Sequence, residues 1–137
     1  MRTKTDISTR PVSFVNLGCL NVRGCGEVDK REEVEYVFVE RKLDVLVLSE
    51  TKLRGRGEWE GNVKGYKSGI IRGKAREGVA ILLSDWLWET VQRVEFVNSR
   101  IMWARCKVRG KKLVVVGVYA PGMERTEDER EVLGGAE

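Results

Sequence analysis

Residues 44 to 53, DVLVLSETKL, set an unbroken apolar run ahead of a carboxylate, Glu50. A strand that is apolar at successive positions is of the kind covered on both faces, so the run from Leu43 to Ser49 implies a layer on either side. The preceding segments supply the start of such a domain. SFVNLGCLNV, residues 13 to 22, alternates as a strand, with Val15, Leu17, Cys19 and Asn21 on one face and Phe14, Asn16, Gly18 and Leu20 on the other. It stops at Arg23-Gly24-Cys25-Gly26, a loop signal. From Glu27 to Lys42 the spacing becomes helical, with Val34, Val37, Phe38 and Arg41 on one stripe, and Asp29 followed by Glu32 predicts a capping box. Strand, helix, strand predicts a parallel pair joined by a crossover.

After Glu50 the character changes. TKLRGRGEWEGNVKG reads as a long charged loop, followed by short strands at YKSGII, GVAILLSD, around WETVQRVEFV, RIMWARCKV and KLVVVGVYAP. VRGKK, residues 108 to 112, predicts a hairpin. MERTEDEREVLGGAE then reads as a charged helix start after Pro121-Gly122. The expectation is a polar tail over 1–12 and one α/β domain over 13–137, a mixed, largely antiparallel sheet with a flanking helix.

Composition narrows the chemistry. The chain has 137 residues, 25 cations against 21 anions, a net charge of +4 and no histidine. Any mechanism that needs an imidazole from these residues is excluded, while the basic balance leans toward an anionic partner such as nucleic acid. Cys19, Cys25 and Cys106 are an odd number without CxxC spacing, so neither a disulfide framework nor a zinc site is indicated; Cys19 and Cys106 read as small core residues. No run approaches the roughly 20 apolar residues of a membrane helix, and MRTKTDISTRPVS lacks a signal-peptide apolar region. The expectation is an intracellular protein, nuclear or cytoplasmic, with no membrane partner.

Strand, glycine loop, helix and a strand ending in an acid outline a dinucleotide-binding unit. That reading loses: Asp29 stands where a third small residue is required, and Glu27 and Asp29 would repel a pyrophosphate from the helix N-terminus.

A second reading takes the strand ends as the site. Asn21 closes one strand in LNVRG, Glu50 closes the next, and Tyr119 closes the last in GVYAP. A carboxylate can hold a hard cation, an amide can bond a phosphate oxygen, and a phenol can donate to developing charge. Through CLNVRG at 19–24, DVLVLSETKL at 44–53, GVAILLS at 78–84, RIMWARCKV at 100–108 and KLVVVGVYAP up to 121, the chain resembles the endonuclease/exonuclease/phosphatase superfamily. The order and spacing look most like the apurinic-type endonuclease domains of LINE-class retrotransposons and their craniofacial-development-type relatives, from about Val15 to Gly122.

The resemblance implies a Mg²⁺-dependent (or Mn²⁺-dependent) DNA phosphodiester hydrolase. In it Glu50 holds the metal, Asn21 contacts phosphate, and Tyr119 is the active-site tyrosine or its neighbour. The family's aspartate two positions after the asparagine is Arg23 here. Its Asp-x-Asn and terminal acid-histidine motifs are missing, so the chain corresponds to the N-terminal half of the family domain and is expected to lack turnover alone. Such a half would leave one sheet face uncovered, met by self-association or a partner. A non-catalytic nucleic-acid-binding fragment and a phosphoester phosphatase of the same superfamily are the alternatives.

Each site residue also has a plainer reading. Glu50 can be a solvated strand terminus, Asn21 a turn residue, and Tyr119 a strand-end ring with its hydroxyl at the surface. Lys52, Arg54 and Arg56 after Glu50, and Arg72, Lys74 and Arg76 in IRGKARE, suit contact with a nucleic-acid backbone, or else are solvated loops. Trp86, Trp88 and Trp103 read as packing, and Trp59 as the one candidate for base stacking.

Overall fold

The computed structural model describes residues 15–121. The polar tail, Phe14 and the charged stretch after Pro121 lie outside them. Two sheets and a helix stack in three layers. The first sheet has the order β1 (Leu17–Asn21), β2 (Val45–Ser49), β5 (Val79–Leu83), β4 (Lys64–Ser68), β3 (Arg56–Glu58). The second comprises β6 (Val91–Asn98), β7 (Ile101–Val108) and β8 (Lys111–Val118). β1 and β2 run parallel through the crossover helix α1 (Val28–Glu40), and every other pairing is antiparallel. The mixed α/β sandwich expected from the sequence is what forms.

The unbroken apolar run explains the layering. Val45 and Val47 of β2 join Val79, Ile81 and Leu83 against Met102, Ala104 and Cys106 of the second sheet. Leu46 and Leu48 point the other way, with Ala80 and Leu82, into Val34 and Phe38 of α1. The central strands are thus covered twice, as a continuous apolar run requires.

Several expectations are corrected. The helix begins at Val28 with Glu27 as its N-cap and no side-chain cap, so the Asp29–Glu32 box does not form; Asp29 sits in the first turn, where its charge faces the positive end of the helix dipole. The long loop after Glu50 contains β3, and the fourth strand ends at Ser68, leaving Ile71 64% exposed. Asp85, expected to end the GVAILLSD strand, and Trp88, expected in the strand around WETVQRVEFV, instead bound the one-turn helix α2 (Asp85–Trp88), and β6 starts only at Val91. Cys106 is buried but Cys19 is exposed, because β1 is an edge strand whose Leu17–Cys19 face opens on a groove of about 360 Å³ shared with Val114 and Val116. The second sheet stops short of covering it. Val114, Val116 and Val118 are each about half exposed, so β8 presents an apolar outer face at an unpaired edge.

The predicted 108–112 hairpin is present. Arg109 and Gly110 form a two-residue loop at φ 53° and 79°, the double left-handed turn that matches strand twist and that glycine favours at its second position.

Two buried acids pin the layers. Asp44, 6% exposed, accepts the Asn16 N–H at 3.0 Å, the Ser84 hydroxyl at 3.0 Å and the Trp86 indole N–H at 2.6 Å, tying β1, β2 and α2 together. Glu35, 5% exposed, accepts the Trp59 indole N–H at 3.0 Å and the backbone N–H groups of Asn62 and Val63 at 2.7 and 3.1 Å. Trp59 is therefore a core residue locked to α1, not a stacking platform. Trp86 packs in the inter-sheet core, Trp88 stacks on Tyr66 at 4.7 Å, and Trp103 lies half-buried with the Arg93 guanidinium over its ring.

Candidate functional site

Register places the candidate residues at one end of the sandwich. Asn21 pairs with Ser49, so the chain leaves β1 beside the residue that precedes Glu50. Ser49 pairs with Val79 and Val79 with Ser68, bringing the start of β5 and the ends of β4 and β2 to the same edge. Ile101 pairs with Val118, and the Tyr119 N–H donates to the Arg100 carbonyl at 2.8 Å, which adds the β6–β7 turn and the end of β8.

Backbone strain is concentrated here. Arg23, Glu50 and Lys52 all adopt left-handed φ, 53°, 54° and 56°, a conformation that costs a non-glycine residue about 1 kcal/mol or more. What the bend accomplishes is visible in the hydrogen bonds. The Glu50 carbonyl accepts the Gly24 N–H at 2.7 Å and the Thr51 carbonyl accepts the Cys25 N–H at 2.9 Å. On the other side the Thr51 and Lys52 N–H groups reach the Gly78 and Glu77 carbonyls at 3.1 and 2.8 Å. That close approach requires glycine at 78, which sits at φ 124° with a Cβ position that would strike the Thr51 hydroxyl. The strand ends are thereby stitched into one platform.

On this platform Glu50 is 9% exposed, with Oε1 3.8 Å from the Lys52 ammonium. Asn21 Oδ1 accepts the Arg23 N–H at 3.2 Å, the asparagine turn anticipated by the plainer reading, and the side chain is exposed at the strand end. Tyr119 is 9% exposed and belongs to the inter-sheet core. The neighbouring Cys25 thiol, wholly buried, is pushed up to about 11 by desolvation and is no nucleophile. Among the described residues no three His, Cys, Asp or Glu side chains form a metal-holding group.

The six cations named from sequence are all exposed at this end, Arg56 at the start of β3 and Lys52, Arg54, Arg72, Lys74 and Arg76 in the loops. The two loops are tied together, since the Gly55 N–H donates to the Ile70 carbonyl and the Gly69 N–H to the Gly55 carbonyl, at 3.0 and 2.9 Å. Arg23 and Arg100 complete the rim, so the segments 21–24, 50–56, 69–78 and 99–100 hold eight cations against two carboxylates, Glu50 and Glu77. Loops 41–44, 59–63 and 84–90 at the opposite end hold two cations and four acids, and a second basic cluster, Lys107, Arg109, Lys111 and Lys112, marks the β7–β8 hairpin there.

Sequence reasoning missed the latch that fixes the arginine loop. Glu77 accepts the Ser99 hydroxyl at 2.7 Å and is paired with the Arg100 guanidinium, while the Gly78 N–H donates to the Ser99 carbonyl at 3.0 Å. Only the tertiary fold brings residues 77 and 99 together, so no local pattern announces it. The Ser99 hydrogen bond first, helped by Arg100 and opposed by partial burial, holds the Glu77 carboxyl below its ordinary 4.5. A depressed folded-state value adds stability that is complete above the ordinary carboxylate range and is lost as pH falls through the folded value. Thermal melts of Glu77→Gln should therefore show a deficit against the parent chain at pH 7 that shrinks below about pH 4.5. A deficit constant from pH 7 to 3 would show that the carboxylate charge is immaterial to the latch.

No protein-family model matches the chain, and a search of curated proteins finds no match either.

Proposed function

We propose that the chain contributes the DNA-backbone-binding rim and the metal carboxylate of a Mg²⁺-dependent phosphodiester hydrolase of the endonuclease/exonuclease/phosphatase type. The observation that carries this reading is the convergence of eight cations on the end where Asn21, Glu50 and Tyr119 close their strands. The donor set fits magnesium in one specific way. Mg²⁺ is commonly held by one or two carboxylates together with waters and substrate phosphates rather than by a protein cage, and Glu50 supplies one carboxylate that already faces a cation, the Lys52 ammonium.

Bound there, the ion would neutralise charge on the scissile phosphate. The chain's own groups do the rest. The rim cations would hold and orient the phosphodiester backbone, Glu50 would hold the ion, Lys52 would be free to turn from Glu50 to phosphate, and the Asn21 amide and Tyr119 phenol would donate to phosphate oxygens. The sequence offers no histidine for an imidazole-dependent step, so binding and hydrolysis separate.

The test follows from that separation. Binding of a fluorescent duplex should weaken steeply as salt rises, while supercoiled plasmid with Mg²⁺ stays intact. Salt-insensitive or undetectable binding would refute the rim; nicking that disappears in Glu50→Gln would refute the division of labour and assign turnover to this chain.

A further inference from the structure

The second sheet ends one strand short of the first. Gly117 of β8 sits between β2 and β5, its Cβ position 3.5 Å from Val47 Cγ1 and 3.6 Å from Ile81 Cγ1. β1 pairs with the other side of β2, so it projects past β8 by about one strand spacing, roughly 4.8 Å. That step is the groove of about 360 Å³, floored by Leu17, Cys19 and Val47 and walled by Val114 and Val116. The strand edge above it is open. The Tyr119 N–H turns inward to Arg100, and bonding alternates along an antiparallel pair. In the same register the N–H and C=O groups of Lys112, Val114, Val116 and Val118 face outward over the groove. A row of open backbone donors and acceptors beside an apolar trough is what an added strand completes.

We propose that the groove takes an extended segment of a partner protein as a fourth strand, antiparallel to β8, with alternate apolar side chains in the groove and carboxylates at its C-terminal end beside Lys111 and Lys112. Two observations select that occupant. A second copy cannot join edge to edge, because the twofold that pairs β8 antiparallel with itself would put the second copy's own first sheet in the space held by β1 and β2. A segment with no sheet beneath it meets no such obstacle. Charge then sets the sequence of the segment. Lys111 and Lys112 stand exposed where β8 begins, and among the described residues neither takes part in an ion pair; acids arriving there are attracted and cations repelled. Nothing in this depends on what the rim binds.

Cys19 reports occupancy in the whole chain. It is the exposed thiol of the three, Cys25 and Cys106 being buried, so iodoacetamide should label the free protein at Cys19. The probe is a synthetic peptide as long as β8, eight residues, alternating threonine and valine and ending in two glutamates. At about ten times its Kd it should slow labelling about tenfold, by mass action. Changing Lys111 and Lys112 to Gln should weaken the peptide about fivefold, and Leu17→Asp, at an exposed groove position, about tenfold. Methylating the peptide nitrogens at one set of alternate residues should abolish binding to the unaltered chain, while the other set leaves it within about twofold; equal effects of the two sets would mean that no strand is added. Unchanged labelling with peptide bound would place the peptide elsewhere. Labelling of the free chain that slows as protein concentration rises would give the groove to a second copy, and a Cys19 already protected in the dilute folded chain would give it to a segment of the same chain. Each of these results overturns the proposal, as does binding undetectable at about millimolar peptide.

Discussion

Asp44→Ala should be the most damaging single truncation of a polar side chain in this fold, lowering stability by about 4 kcal/mol and the melting midpoint by roughly 15 °C. The carboxylate is 6% exposed and satisfies three donors, Asn16 at the entry to β1 and Ser84 and Trp86 at the N-cap and first turn of α2. Removing it orphans a buried indole N–H and a backbone N–H, each costing about 1–3 kcal/mol, and leaves a void beside α2. Asp44→Asn keeps one acceptor oxygen and should recover about half of the loss. A double-mutant cycle with Trp86→Phe isolates the indole bond. If Asp44→Ala and Trp86→Phe prove additive, the 2.6 Å contact contributes nothing to stability and the proposed hub fails.

That hub shows where sequence reading stops. The layered α/β class was legible because the run at 45–48 has no polar face to give to water, and the parallel β1–β2 pair was legible from the intervening helical spacing. Asp44 and Glu35 were not legible. Acids are rarely buried, so one reads as a strand edge and the other as part of a solvated helix face. Their partners, residues 84 and 86 for one and residues 59, 62 and 63 for the other, are set by tertiary contact alone. Trp59 was misread for the same reason: a tryptophan among glycines and charges looks exposed until Glu35 is seen to accept its N–H.

The site divides along the same line. Asn21, Glu50 and Tyr119 were nominated because each ends a strand; parallel register sets Asn21 beside Ser49, while Tyr119 closes a strand of the other sheet at the same end of the sandwich. The five loop cations were found by composition. Arg23 and Arg100 were passed over because each stands singly in sequence, and it is the pairing of Asn21 with Ser49 and the bond from the Tyr119 N–H to the Arg100 carbonyl that add them to the rim. The left-handed geometry at Glu50 left no sequence signal, since nothing in SETKL demands it; it arises from the hydrogen bonds that Gly24, Cys25 and Gly78 offer on either side.

Changing Arg54, Arg72, Lys74 and Arg76 together to Gln should weaken duplex DNA binding on the order of 100-fold at 0.1 M salt and flatten the slope of log K against log salt by about 3 to 4. All four are exposed and, among the described residues, none takes part in an ion pair, so the folded domain should melt as before. The magnitude follows from counterion release, in which each neutralised phosphate contributes close to one unit of slope. The charge-matched comparison is the hairpin cluster, Lys107, Arg109, Lys111 and Lys112 to Gln, which removes as many cations from the opposite end. Non-specific attraction to a net charge would make the two variants equivalent. A rim that meets DNA across four segments demands instead that the first lose its slope and the second keep it. The same pair of variants ranks the two basic surfaces directly: if the hairpin variant loses the greater share, the nucleic acid sits at the end of the sandwich away from Glu50, and the strand-end carboxylate has no phosphate to serve.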